Sequence, residues 1–132
     1  MVLGDVTTPA FTACVGATAA YERGDIVDFT VELTNQGDFY DGVLDVFYCP
    51  VDGIYMFHVS LLNGDAVPFG FDLVKNNEVI MTTSGYSDHQ VSNLVFVECG
   101  DNELVWVQAS VPGSAYGLNP ALYSCFSGAL LQ

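Results

Sequence analysis

With sixteen acids and only two basic side chains, Arg23 and Lys75, in 132 residues, the chain carries a net charge of −14. That balance excludes a nucleic-acid surface, which needs Lys and Arg to displace phosphate counterions, and an anionic membrane surface for the same reason. An apolar fraction of 51% and a mean hydropathy of +0.37 exclude disorder, and no apolar run is long enough to span a bilayer.

A length of 132 residues is enough for one domain with a real core and no metal clip. Residues 1–5 are too few for a signal peptide, so the chain reads as a mature protein or as one whose export signal was removed. The acids are dispersed, with no block of like charge. They read first as a solvated surface and second as carboxylates for Ca²⁺, which takes hard oxygen ligands. Four cysteines without a Cys-x-x-Cys pair argue against a zinc ribbon or a thioredoxin-type site. They suggest two disulfides in an oxidising compartment or free buried thiols, and the spacing alone allows three pairings.

In chain order, residues 9–15 read as a first strand and 16–24 as a small-residue loop. Val27, Phe29, Val31 and Leu33 then alternate with Asp28, Thr30, Glu32 and Thr34, the pattern of a strand with one wet face. Residues 35–42 form a turn-rich connection with two aromatics, Phe39 and Tyr40. In Phe47-Tyr48-Cys49-Pro50-Val51-Asp52-Gly53-Ile54-Tyr55-Met56-Phe57 a Pro-x-x-Gly interruption precedes a strand that is apolar on both parities. Phe69, Phe71 and Leu73 alternate again, and Asn76-Asn77 makes a tight hairpin because Asn tolerates a positive φ. Residues 79–81 pair back, 84–90 form a polar loop, and 91–97 and 104–108 are strands. Residues 112–120 are loop, and 122–131 form the last strand. Helical signals are nearly absent, so the expectation is an all-β sandwich. The strands around 54–61, 94–97 and 126–131 lack a wet face, which predicts an oligomer packed through one sheet.

These segments, taken together, resemble the globular C1q domain of the C1q/tumour-necrosis-factor superfamily. Pro9-Ala10-Phe11-Thr12-Ala13 is similar to the family's opening Ala-Phe-Ser/Thr motif, and Asn35-x-Gly37-x-x-Tyr40-Asp41 to its Asn-x-Gly-x-x-Tyr-Asp loop. The stretch from Phe47 onward resembles Gly-x-Phe-x-Cys-Pro-Val-x-Gly-x-Tyr-x-Phe. Val74-Lys75-Asn76-Asn77-Glu78 resembles a Lys-Asn-Gly-Glu hairpin, with Asn77 in place of glycine. Gly100-Asp101 with Val105-Trp106-Val107-Gln108, and Tyr123-Ser124-Cys125-Phe126-Ser127-Gly128-Ala129-Leu130-Leu131, resemble the closing motifs.

The resemblance implies a ten-stranded jelly-roll sandwich over residues 9–132, after an N-terminal extension at 1–8, that assembles as a homotrimer. It implies secretion and ligand recognition without catalysis: binding of microbial surface molecules or glycans in innate immunity, or alternatively a cytokine-like or synaptic-organiser-like trimer engaging a protein receptor. In the family the first, last, third and sixth main strands form the axis-facing sheet, and all four cysteines are expected on those strands. Neighbours in that order pair Cys14 with Cys125 and Cys49 with Cys99, with a free Cys49 left open. Tyr55 and Phe57 are expected at the trimer interface. Several family members bind Ca²⁺ in the loop before the sixth strand, and only Asp88 here matches one of their acids. No Gly-X-Y collagen stalk is present, which points to a head-only member or an excised head, and Asn102-Glu103 reads as an insertion.

From the residues themselves, the loop aromatics Phe39, Tyr40, Tyr86 and Tyr116 are the expected ligand contacts, since loops on a rigid sandwich often carry binding. For Trp106 the resemblance implies a structural role, since it falls in the family's Val-Trp-Val segment. His58 is expected to be packed or at a subunit interface, and His89 solvated. Ser87-Asp88-His89 holds triad residue types, but consecutive residues of an extended segment point to opposite sides and cannot converge on one centre.

Overall fold

Local turn chemistry frames the strands. Asn35 accepts the Tyr40 N–H at 3.0 Å and donates to the Tyr40 carbonyl at 2.9 Å, clamping the turn in which Gly37 takes φ +86° beneath the Phe39 ring. A Cβ on Gly37 would lie 2.3 Å from that ring, so the Asn-x-Gly-x-x-Tyr spacing is a steric requirement. Asn76 and Asn77 both adopt positive φ, 47° and 70°, and close the expected hairpin.

The computed structural model describes residues 8–62, 69–85, 90–118 and 123–132, with the backbone alone at 116–118. Twelve strands occur among the described residues: β1 Ala10–Cys14, β2 Ala17–Tyr21, β3 Val31–Gln36, β4 Tyr40–Asp41, β5 Val46–Tyr48, β6 Gly53–Leu62, β7 Phe69–Lys75, β8 Glu78–Gly85, β9 Gln90–Cys99, β10 Leu104–Ala109, β11 Gly113–Leu118 and β12 Cys125–Leu130. Ten of them form two five-stranded sheets, ordered β3-β1-β12-β6-β9 and β4-β5-β10-β7-β8. The other two, β2 and β11, pair as a ribbon. The jelly-roll expectation holds, and the neighbours β1-β12-β6-β9 reproduce the order that the resemblance implied.

The ribbon falls where loops were expected. Its strands, Ala-rich in β2 and Gly-containing in β11, show no clean polar–apolar alternation, and Gly113 lets β11 lie close over Phe69. A Cβ on Gly113 would lie 2.3 Å from that ring. The alternation over residues 27–33 also proves not to be one strand. Gly24 donates to the Ala109 carbonyl and Val27 to the Val107 carbonyl, both at 2.8 Å, so residues 24–27 run beside β10, and Val27 and Phe29 are fully buried. The chain then crosses to the first sheet as β3. A register shift against β1 between Thr12 and Ala13 reverses the parity and leaves Leu33 58% exposed.

The core between the sheets is aromatic. Phe11 stacks on Phe47 at 4.7 Å and meets Phe126 edge-on at 4.8 Å, while Phe126 also contacts Phe29, Tyr40 and Phe57. Such pairs add roughly 0.5–1.5 kcal/mol each beyond area burial. Gly128 is required here, because a Cβ would sit 2.7 Å from both Phe11 and Phe57.

Both expected disulfides form, Cys14–Cys125 and Cys49–Cys99. Cys14 and Cys125 are direct cross-strand partners on β1 and β12. Cys49, expected on the axis-facing sheet, lies instead in the bend between β5 and β6. There it donates its N–H to the Glu103 carbonyl at 2.9 Å and accepts from Asn102 at 2.7 Å. The bridge to Cys99 therefore ties the crossover between sheets to the end of β9. Asn102 closes this turn with φ +68°.

Candidate functional site

Period-two geometry divides β6 into an inner and an outer face, and the expected interface residues are on the inner one. Tyr55 and Phe57 are both fully buried against the second sheet, packed on Phe47. The opposite parity of β6 (Ile54, Met56, His58 and Ser60) faces out. The expectation was right about a second apolar face and wrong about which residues form it.

Strand register extends that face across the sheet. Met56 lies opposite Phe96 on β9 and Ala129 on β12, and Ala129 lies opposite Ala10 on β1. The next rank is Leu94, His58, Ser127 and Thr12, with the Thr12 and Ser127 hydroxyls 2.8 Å apart. Phe96 is 60% exposed, Leu94 45% and Ile54 38%. This is a contiguous stripe of large apolar and small side chains. Glu98 is its one acid, at the margin opposite Ile54.

The expected ligand contacts separate. Tyr40 is 2% exposed, its ring stacked on Phe11 and its hydroxyl donating to the Phe29 carbonyl at 3.3 Å, so it is a core residue. It was mistaken for a surface aromatic because a turn-rich segment looks exposed whatever its strand ends do. Phe39 is half-buried, lying over Gly37 and stacked on Tyr48 at 6.5 Å. Tyr86 and Asp88 lie outside the described residues, and Tyr116 lies in β11 with its side chain undescribed. Trp106 is half-buried on β10, its indole N–H donating to Gln108 at 3.2 Å. Among the described residues no group of three or more His, Cys, Asp or Glu is placed to hold a metal ion.

Sequence reasoning missed the turn between β4 and β5. The Asp41 carboxylate accepts N–H bonds from Val43 at 2.8 Å and Leu44 at 3.1 Å, and the Asp41 carbonyl accepts from Asp45 at 2.7 Å. Val43 and Leu44 are thereby held out at 88% and 61% exposure. Asp45 turns the chain back with φ +61°, and its Oδ1 is buried without a hydrogen-bond partner. Burial first, then the charges of Asp28 and Asp41, push its carboxyl up to about 6. Burial and the hydrogen bond to Asp28 likewise raise the Tyr21 phenol. The Asp-Gly pair at 41–42 was the available signal, a turn dipeptide followed by two apolar residues.

A carboxyl whose folded pKa is raised from 3.8 to about 6 favours the fold when protonated, and that advantage is lost as pH rises through about 6. Asn tolerates the same positive φ and carries no charge. The variant Asp45→Asn is therefore expected to melt higher than the parent at pH 7.5, with the gap shrinking towards pH 4. Melting curves at the two pH values check this; an equal gap at both would show that charge is not the cause.

The family model for the C1q domain matches residues 10–131. Caprin-2 of Danio rerio is 32% identical over 130 residues, an alignment covering 92% of this chain and 14% of that protein, so the chain spans about a seventh of its relative. The fold is similar to the globular domain of zebrafish complement 1qA protein, with a TM-score of 0.77 at 19% identity, covering 94% of this chain and 98% of that one. It is also similar to murine APRIL, with a TM-score of 0.76 at 11% identity over 94% and 99% of the two chains. Eiger TNF from S. frugiperda gives a TM-score of 0.74 at 9% identity, covering 96% and 94%. The chain belongs to the C1q domain family.

Proposed function

We propose that this domain is a secreted, non-catalytic recognition module. In this reading it assembles as a homotrimer through the outer face of the β3-β1-β12-β6-β9 sheet and binds microbial surface molecules or glycans multivalently in innate immunity. The observation that carries the reading is the apolar stripe of Met56, Leu94, Phe96 and Ala129 on an otherwise acidic chain. A contiguous apolar face of this kind marks an association surface, and a second and third copy supply the same chemistry in closed symmetry. Three weak sites per assembly would give avidity without any single strong pocket. Two disulfides support an oxidising compartment.

A net charge of −14 disfavours bulk polyanions and suits neutral glycans, cationic ligands or contacts bridged by Ca²⁺. Ca²⁺ at Asp88 is part of this proposal, as an ion that would raise the affinity for sugar. A protein receptor is the second reading, and the rigid, exposed Val43–Leu44 turn is the observation that favours it.

The test is native mass followed by a glycan array with and without millimolar Ca²⁺. The expected mass is three times 14.2 kDa, with saturable sugar binding that Ca²⁺ strengthens. A monomer overturns the assembly. Sugar binding indifferent to Ca²⁺ removes the ion, and no sugar binding turns the reading to a receptor.

A further inference from the structure

Single exposed apolar residues are ordinary on protein surfaces, and most of those on this chain call for no account. Val43 and Leu44 differ because two adjacent apolar side chains, 88% and 61% exposed, are presented by a turn whose backbone is pinned by hydrogen bonds. Asp41 fixes both of their N–H groups and the N–H of Asp45. The same turn carries two costs: a non-glycine residue at positive φ, and a buried carboxylate oxygen without a hydrogen-bond partner, both at Asp45. Local costs of this kind persist where the surrounding structure holds a functional shape.

Charge defines what could sit there. The Glu32 carboxylate lies against Gly42, where a Cβ would come within 2.7 Å of its Oε2. Asp41 and Asp45 flank the apolar pair in sequence, and Asp28 acts electrostatically on Asp45. Neither cation of the chain offsets these acids. Lys75 donates to the Glu98 carbonyl and pairs with Glu103 at 3.7 Å, and Arg23 lines a cleft with Asp72, Gln108 and Ser110. The result is an apolar knob in a negative collar, and the surface complementary to it is an apolar depression edged with Lys or Arg.

We propose that the Val43–Leu44 turn is a docking site for a protein or peptide whose basic rim meets Glu32, Asp41 and Asp45 while an apolar pocket takes the two side chains. The turn belongs to the second sheet, so the proposal rests neither on trimer assembly through the first sheet nor on glycan binding.

The test is selection of a random twelve-residue phage-displayed peptide library on the purified chain. The comparison protein is the Val43→Ser/Leu44→Ser double variant, whose exposed positions leave the core untouched and whose fold is checked by circular dichroism. Enriched peptides are expected to combine Lys or Arg with apolar residues, to lose roughly tenfold or more in affinity for the variant, and to weaken as salt rises. Asp45→Asn should weaken the same peptides while leaving Val43 and Leu44 in place. No enrichment, enrichment of acidic or neutral peptides, or equal binding to a folded double variant would overturn the proposal.

Discussion

Replacing Cys14 and Cys125 together by alanine is expected to lower stability by about 4–5 kcal/mol, from the chain-entropy relation for a bridge of this span. The two cysteines are separated by 111 residues, so the bond closes nearly the whole chain into one loop and removes the most extended unfolded conformations. The native register places Cys14 opposite Cys125, so strand pairing itself brings the two cysteines together. The corresponding replacement of Cys49 and Cys99, separated by 50 residues, is expected to cost somewhat less, by about 0.7 kcal/mol in the same relation. Denaturant unfolding of the two variants at one protein concentration checks both size and order, since association makes apparent stability concentration-dependent. A reversed order would mean that local packing at the β5–β6 bend outweighs loop length.

The second large effect is on assembly. Phe96 is 60% exposed in the isolated chain and lies opposite Met56, on the edge strand β9 of the outer face. Phe96→Glu puts a carboxylate into that stripe without touching the core. In the proposed trimer it brings three new negative charges towards one another on chains that each carry −14 already. The expected result is a folded chain whose native mass falls to 14.2 kDa, with multivalent binding weakened by roughly 10²–10⁴. Val79, 50% exposed on β8 of the second sheet, provides the control: Val79→Glu should leave the mass unchanged. A trimeric Phe96→Glu, or a monomeric Val79→Glu, would move the interface elsewhere.

Much of the architecture was legible in the residues, for identifiable reasons. Asn76-Asn77, Gly37 under Phe39 and the Pro-x-x-Gly bend are local devices whose chemistry permits few alternatives. The two-faced character of β6 was legible too, because a run apolar on both parities has nowhere dry to go in a thin sandwich. Which parity points inward was not, since Tyr55 and Met56 are both apolar and only packing against Phe47 decides between them. The break at residues 27–33 was hidden for a related reason: alternation survives a change of sheet, while a register shift against β1 alters which side it faces. Tyr40 shows the limit for sites. A turn signature says that the backbone reverses, and it says nothing about whether the residue ending the turn re-enters the core.

Strand order has a consequence for how the molecule comes into being. The last of the described strands in chain order, β12, sits between the first, β1, and the long β6. Until residues 125–130 have left the ribosome, β1 and β6 each present a bare edge with no neighbour to take it. The first sheet therefore cannot close progressively during translation; it closes once, at the end, around an inserted strand. Until that insertion the aromatic core is only half assembled, and Cys14 waits for the partner with which it forms its disulfide, Cys125.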